Sequence, residues 1–291
     1  MLDRSRIIIY LCFMNKLPIA KKVQIINMLV EGMSLRAASR ISGCSINTIT
    51  KLLVDTGKAC QSFHDEQVHS LNSKRIEADE IWSFVYAKQK NVESIVNSEV
   101  DKAGDVWTWT AIDADSKLIV SWFVGDRDAE TAYTFMKDVK NRLNNRVQLT
   151  TDGHKAYLNA VPDAFGSKID YAMLIKIYGE PAGTNATDRK YSPGDCTGFE
   201  KKRIIGKPIA EQVSTSYVER QNLTMRMHMR RFTRLTNAFS KKMENHCYAI
   251  ALHFVYYNFA KIHKTLRVTP AMEAGITKIP MEIEDIVRLA D

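Results

Sequence analysis

An all-helical N-terminal unit followed by a mixed α/β domain is what this 291-residue sequence predicts. Three observations carry that expectation. Before Lys74 the apolar residues recur at helical spacing. At Arg75 they switch to the alternation of strands, and three strand-like stretches follow one another. After these, helical and short strand-like segments take turns, the order of a mixed sheet with a parallel section.

The helical unit spans residues 17–66, after an N-terminal arm, 1–16, of unclear status. Ala20–Glu31 puts Val23, Ile26 and Val30 on one helical face, and Gly32 breaks the pattern. Ser34 reads as the N-cap of a short helix, Leu35–Ser42, kept small by Ala37, Ala38 and Ile41 where it meets its neighbour. Gly43 permits a tight turn and Ser45 caps the next helix. There Ile46, Ile49, Leu52 and Leu53 are expected inward, and Asn47, Thr48, Thr50 and Lys51 outward. Polar residues on the outer face of a second capped helix are what a helix-turn-helix presents to DNA; a plain three-helix packing unit is the rival reading. The polar stretch 67–74 reads as a linker.

The α/β domain is expected over 75–266, with a short tail, 267–291. Arg75–Tyr86, Asp105–Asp113 and Lys117–Val124 read as strands, rich in β-branched and aromatic residues. Ala129–Leu143 is helical, with Ala132, Phe135, Met136, Val139 and Leu143 inward. Arg146–Thr151 is a short strand ending at Asp152-Gly153, and Tyr171–Ile177 is a fifth. Residues 179–214 hold clustered Pro and Gly with Lys190, Lys201, Lys202, Arg203 and Lys207, and read as a basic insertion loop. Ser216–Ser240 reads as one helix, with Val218, Met225, Met229 and Phe232 buried. Ser240–Leu266 reads as another, with Cys247, Ile250, Ala251, Phe254, Tyr257 and Ile262 inward.

Composition narrows the function. The net charge of +8 is clustered, which favours a polyanionic partner, most simply nucleic acid. Five cysteines, none at CxxC spacing, argue against a disulfide framework or zinc ribbon and for a reducing, intracellular setting. The apolar run Ile7–Met14 is too short to span a bilayer, so no membrane partner is expected.

Seven basic residues lie between Arg220 and Lys242, and Glu219 is the one acid between Ser214 and Lys242. Such a carboxylate is an ion-pair partner or a metal ligand. Asp79 in the first strand and Asp152 at the end of another strengthen the second reading. Carboxylates can hold two Mg²⁺ ions about 4 Å apart, which activate a water or 3′-OH against a phosphodiester. Nearby cations, Arg226 and Arg230 among them, would grip phosphate. Asp79 and Glu80 should point to opposite faces of their strand, so one of the two is expected to be the ligand, and the residues alone favour neither. Asp152-Gly153 taken alone reads as a turn. His154 and His228 are read as DNA-facing or packing residues.

The segments DEIW (Asp79–Trp82), TDGHKAY (Thr151–Tyr157), STSYVERQNLTMR and RRFTRLTNAFSKK resemble transposases of the insertion sequence one family. So do EGMSLRAASRISGCS and HKTLRVTPAMEAG, and the likeness runs from about Leu17 to Gly275. It implies an RNase H-like catalytic domain, here a five-stranded mixed sheet with flanking helices, behind a helix-turn-helix. It assigns the acid triad to Asp79, Asp152 and Glu219, as catalytic residues and as ligands of two Mg²⁺ (or Mn²⁺) ions. It implies cleavage at transposon ends and strand transfer into target DNA, without a nucleotide cofactor. The zinc-binding cysteine segment common in that family has no counterpart here beyond Cys12. DNA contacts are expected from Asn47, Thr48, Thr50, Lys51, Arg226, Arg230, Arg231 and Arg234. The partner is double-stranded DNA, both ends and target, bound by a homodimer or larger assembly in the DNA-associated cytoplasm of a prokaryote. The alternatives are an inactive helix-turn-helix regulator derived from a transposase and a nuclease that does not transpose. The presence of all three acids argues against the first. A helix-turn-helix, which a general nuclease does not need, argues against the second.

Overall fold

The computed structural model describes residues 16–95, 102–179, 196–233 and 236–291. The Ile7–Met14 run, Cys12, Arg234 and residues 180–195 of the basic insertion lie outside the described residues.

Three helices open the described chain: α1 (Ile19–Val30), α2 (Leu35–Ser42) and α3 (Ile46–Gln67). The caps fall where the serines predict. Ser34 Oγ accepts from the amide of Ala37 at 3.1 Å and Ser45 Oγ from that of Thr48 at 3.2 Å. Gly43 ends α2 at φ 72°, a left-handed conformation suited to glycine. Ile25, Ile26, Ala38, Ile49 and Leu53 are buried, but Ile41 and Ile46, expected inward, are exposed. Both sit at the ends of their helices beside the α2–α3 turn, beyond the reach of the core.

Helix α3 does not stop at a linker. Its second half packs on α7 (Met243–Val255) and buries Thr56, Gly57 and Cys60, with His64 buried against Trp122 of the sheet. Gly57 is needed for that approach, since a Cβ there would lie 2.3 Å from the carbonyl oxygen of Tyr248. The expected linker is packed as well. Val68 and Leu71 are buried, and the Leu71 amide donates to the carbonyl of Arg142 at 2.8 Å. Gln67, His69, Ser70, Asn72 and Lys74 are exposed, while Val68, Leu71 and Ser73 are buried and anchor it.

Among the described residues the sheet has six strands in the order β3-β2-β1-β4-β5-β6. They are β1 (Arg75–Val85), β2 (Gly104–Asp113), β3 (Ile119–Gly125), β4 (Gln148–Thr151), β5 (Asp170–Tyr178) and β6 (Cys196–Ile205). β1, β4 and β5 run parallel; β2, β3 and β6 are antiparallel to their neighbours. The parallel section needs crossovers, which α4 (Ala129–Arg142) and α5 (Tyr157–Phe165) supply. This mixed sheet with flanking helices is consistent with an RNase H-like fold, with six strands where five were expected. The sixth, β6, lies within the stretch read as a loop. It is an edge strand whose Phe199, Glu200, Lys201, Lys202 and Arg203 are all exposed, so it has no buried face to give alternation, and its lysines suit an unpaired edge.

The other face of the sheet carries α6 (Ser216–His228) and α7. Neither is as long as expected. After α6 the backbone turns extended at Met229 and makes a 3-10 turn, Arg230–Phe232. The break turns both Phe232 and the Arg231 guanidinium inward. Helix α7 passes into a π-turn, Tyr256–Ala260, and Ile262 beyond it is exposed. The π-turn aims buried Asn258 at the edge of β3, where its side chain accepts from the Ile119 amide and donates to the Ile119 carbonyl, both at 2.9 Å. A last short helix, α8 (Ile283–Arg288), lies in the tail and packs on α1. Cys44, Cys60, Cys196 and Cys247 are free thiols. Among the described residues no helix is long and apolar enough to cross a membrane.

One buried group on α7 makes the fold acid-sensitive. Neither ring nitrogen of His253 is hydrogen-bonded, and its pKa is held down to about 3, by burial first and then by His228 and Lys261. A folded-state value below the unfolded one means that protons favour the unfolded chain. The stability that the neutral ring permits is intact above about pH 6.5 and is lost as pH falls from there toward 3. His253→Phe removes the group at similar size. Below about pH 6.5 the wild type is expected to lose about 1.4 kcal/mol per pH unit relative to the variant. Urea unfolding of both proteins on either side of that pH reads the difference; parallel pH dependences would contradict it.

Candidate active site

The acids meet at one end of the parallel strands. Ala78 of β1 pairs with Thr151 of β4, so the next residues along, Asp79 and Asp152, are neighbours. β4 stops at Thr151, leaving Asp152 beyond the sheet, where either face can reach it. Asp79 and Glu80 do take opposite faces. Asp79 faces α6 and accepts from Asn222 Nδ2 at 2.9 Å. Glu80 faces the α4–α5 layer and is all but sealed. Yet ligand oxygens of Asp79, Glu80 and Asp152 all lie within 4.8 Å of one another. The expectation that one of the adjacent pair is excluded is therefore corrected: the longer Glu80 side chain reaches the same end of the sheet.

Charge is concentrated there. The Asp79 carboxyl is pushed up to about 7, by burial first and then by Asp152, with Glu219 adding to the effect. Glu80 is pushed up to about 8, by burial first and then by Asp152 and Asp79. Arg127, from the β3–α4 turn, donates from a terminal nitrogen to Glu80 Oε2 at 3.2 Å and lies 4.0 Å from Asp152 Oδ2. Its guanidinium stacks on the Trp107 ring at 4.6 Å. Asp152 Oδ1 accepts from the His154 amide at 2.9 Å. The His154 ring, near Trp109 and Tyr157, has its pKa lowered by burial first and then by Arg127.

Glu219 comes over the α6 face. The helix is docked by Glu77, two residues before Asp79 on the same face of β1. Glu77 Oε2 accepts from the amides of Tyr217 and Val218 at 2.7 and 3.1 Å, satisfying first-turn donors of α6. One turn in, Glu219 Oε1 accepts from Thr215 Oγ1 and Oε2 from Lys176 Nζ, each at 2.5 Å. Glu219 is thus beside the other acids without joining the tight group of three. Asp79, Asp152 and Glu219 are brought to one end of the sheet; Glu80 is brought with them.

The donor set fits a divalent metal. It is made of carboxylate oxygens, the hard ligands that Mg²⁺ and Mn²⁺ take, and those of Asp79, Glu80 and Asp152 converge within 4.8 Å. Asp79, Asp152 and Glu80 would hold such an ion, and Glu219 is the further carboxylate that α6 brings near.

The residues expected to meet DNA are dispersed. Asn47, Thr48 and Lys51 are exposed at the start of α3 and Thr50 is partly so; Lys51 pairs with Asp55 at 2.7 Å. A cleft of about 980 Å³ between the α2–α3 turn and the segment after α6 is lined by Arg36, Arg40, Asn47, Thr50, Arg230 and Lys241, among others. Arg226 is partly buried on α6. Arg231 is turned inward, donating to Ser240 Oγ at 2.7 Å and the Asn245 carbonyl at 2.8 Å, so its guanidinium holds the chain after α6 together. Glu77, Arg127 and Lys176 were not singled out by the sequence. Each acts through a partner far along the chain, and no local pattern marks it.

No protein-family model and no curated protein matches the chain. Solved structures similar to it include the Mos1 transposase paired-end complex with left transposon end, at 10% identity and TM-score 0.24 over 54% of this chain. The Mos1 mariner paired end complex with Mn is similar at 9% identity and TM-score 0.29, covering 83% of this chain and 76% of that one. The Mos1 Strand Transfer Complex is similar at 10% identity and TM-score 0.24, with the same coverage. The chain spans 59% of the length of the first of these.

Proposed function

We propose that this chain is a DNA transposase of the DDE type, which binds the terminal repeats of a mobile element, cleaves there and transfers the freed strand into target DNA. The observation that carries the reading is the placement of Asp79 and Asp152 side by side just past the end of the parallel ladder between β1 and β4, under a helix that brings Glu219 to the same face. The segments resembling insertion sequence one transposases contain all three of these acids. Two Mg²⁺ or Mn²⁺ ions, when bound, would supply the charge that activates an attacking oxygen and offsets that of the phosphate. Asp79 and Asp152 hold the site from the rigid sheet, and Asn222 fixes the Asp79 carboxyl. Glu77 fixes the helix that carries Glu219. In the first step a water oxygen attacks phosphorus and gives up a proton; the P–O3′ bond breaks, the phosphate stays on the 5′ end, and the departing 3′ oxygen takes up a proton to become a free 3′-OH. In the second, that 3′-OH attacks a target phosphodiester and displaces the target's own 3′ oxygen. The start of α3 (Asn47, Thr48, Thr50, Lys51) is assigned to the terminal repeats. Arg226, Arg230 and Arg234 are assigned to backbone phosphate. Joining two ends calls for a dimer or larger assembly on DNA, in the DNA-associated cytoplasm of a prokaryote.

The test is a labelled duplex carrying the sequences that flank the gene, incubated with Mg²⁺ and an unlabelled plasmid. Label joined to the plasmid is the expected result. A retarded duplex that is neither nicked nor joined would overturn the reading in favour of a DNA-binding regulator.

A further inference from the structure

The third acid of the site is already paired with a cation of this same chain. Lys176 stands on β5 beyond the end of its ladder with β4, which runs as far as Met173. Its ammonium meets Glu219 Oε2 at 2.5 Å, and its charge is felt by Asp79 across the site. On the opposite face Arg127 plays the matching part for Glu80 and Asp152. The Lys176–Glu219 pair is half-exposed, with side chains 34% and 38% accessible, and pairs of that kind contribute little to stability. What the pair does is occupy the Glu219 oxygen that does not bond to Thr215, while Glu219 stands outside the group formed by Asp79, Glu80 and Asp152. The Lys176 pKa is raised: burial pulls it down, and the hydrogen bond and charge of Glu219 outweigh that.

We propose that Lys176 is the resting counter-ion of the acid site and competes with the divalent metal for Glu219, so that metal binding requires the Lys176–Glu219 ion pair to open. This makes Lys176 a positioning residue that acts through Glu219, and it rests on the reading of the acids as a metal site. A cation of the same sign as the metal, held on one of its ligands, weakens metal binding in two ways. It repels the ion, and it ties up an oxygen that the ion needs.

The test measures Mn²⁺ binding to the full chain without DNA, by calorimetry or by the loss of the free-ion paramagnetic signal. The proteins are the wild type, Lys176→Met, Lys176→Gln and Lys176→Arg. Thermal unfolding in EDTA establishes that each variant is folded. Met and Gln are expected to tighten Mn²⁺ binding on the order of fivefold, while Arg keeps the wild-type affinity. A purely structural lysine would leave the affinity unchanged or weaken it when removed, and that result in both folded variants overturns the proposal. Adding Glu219→Gln to Lys176→Met is expected to abolish the tightening. If the tightening persists there, the lysine acts through Asp79 and the competition for Glu219 is disproved. If neither the wild type nor any variant binds Mn²⁺, the metal-site reading itself fails; equal binding by all of them defeats the Lys176 proposal alone.

Discussion

Asp152→Asn is expected to reduce strand cleavage on the order of 1,000-fold or more while leaving DNA binding intact. Asp152 is the one acid reached from both faces of the sheet. Its charge is the leading electrostatic influence on both Asp79 and Glu80, and it follows a strand held by parallel pairing on both sides. Asparagine keeps the shape, and its side-chain oxygen can still accept from the His154 amide, so the fold should survive. It removes one negative charge from a group whose members lie within 4.8 Å of one another, and with it the affinity for a divalent ion. Gel retardation at matched protein concentration, beside a nicking assay, separates binding from chemistry. An Asp152→Asn protein that nicks at a rate near wild type would remove this residue from the site.

Glu77→Ala is expected to lower stability by about 3 kcal/mol, a large effect for a residue that takes no part in the proposed chemistry. The carboxylate is almost wholly buried and receives two backbone amides of α6. Burial raises its pKa and the Val218 and Tyr217 amides oppose that rise. Alanine leaves both donors without this partner, the Val218 amide in a fully buried place and the Tyr217 amide in a partly buried one. Glu77→Gln keeps an accepting oxygen and should cost about 1 kcal/mol. Because the same contact docks the helix bearing Glu219, the alanine variant should also lose cleavage in conditions where it is still folded. Chemical denaturation of the three proteins reads the first effect. A change below about 0.5 kcal/mol in Glu77→Ala would show that α6 is held by its apolar face alone.

The contrast between Glu77 and its neighbours shows what a sequence makes legible. Asp152 could be picked out because it sits at a strand boundary marked by local patterning, whereas Asp79, inside β1, was separated from Glu80 only by the family resemblance. The caps Ser34 and Ser45 could be placed by local patterning too. Glu77 could not, because its partners lie 140 residues away and nothing in RIEADEIW distinguishes a docking carboxylate from a strand-edge acid. Strand β6 was hidden by its exposure on both faces. The end of α6 was hidden because Met229 and Phe232 keep helical spacing although the α-helix breaks at an extended Met229 and only a 3-10 turn follows. Asp79 and Glu80 were correctly put on opposite faces, but the conclusion that one of them must be excluded failed. It assumed a sheet that continues past them, and β4 ends one residue before Asp152.

The most direct test of the central claim is cleavage of a labelled duplex carrying the element's ends, with Mg²⁺ and with EDTA, by the wild type and by Glu219→Gln. Metal-dependent nicking at the ends by the wild type is expected, lost in Glu219→Gln while the retarded DNA complex remains. Normal nicking by Glu219→Gln, or nicking by the wild type that persists in EDTA, would contradict the account.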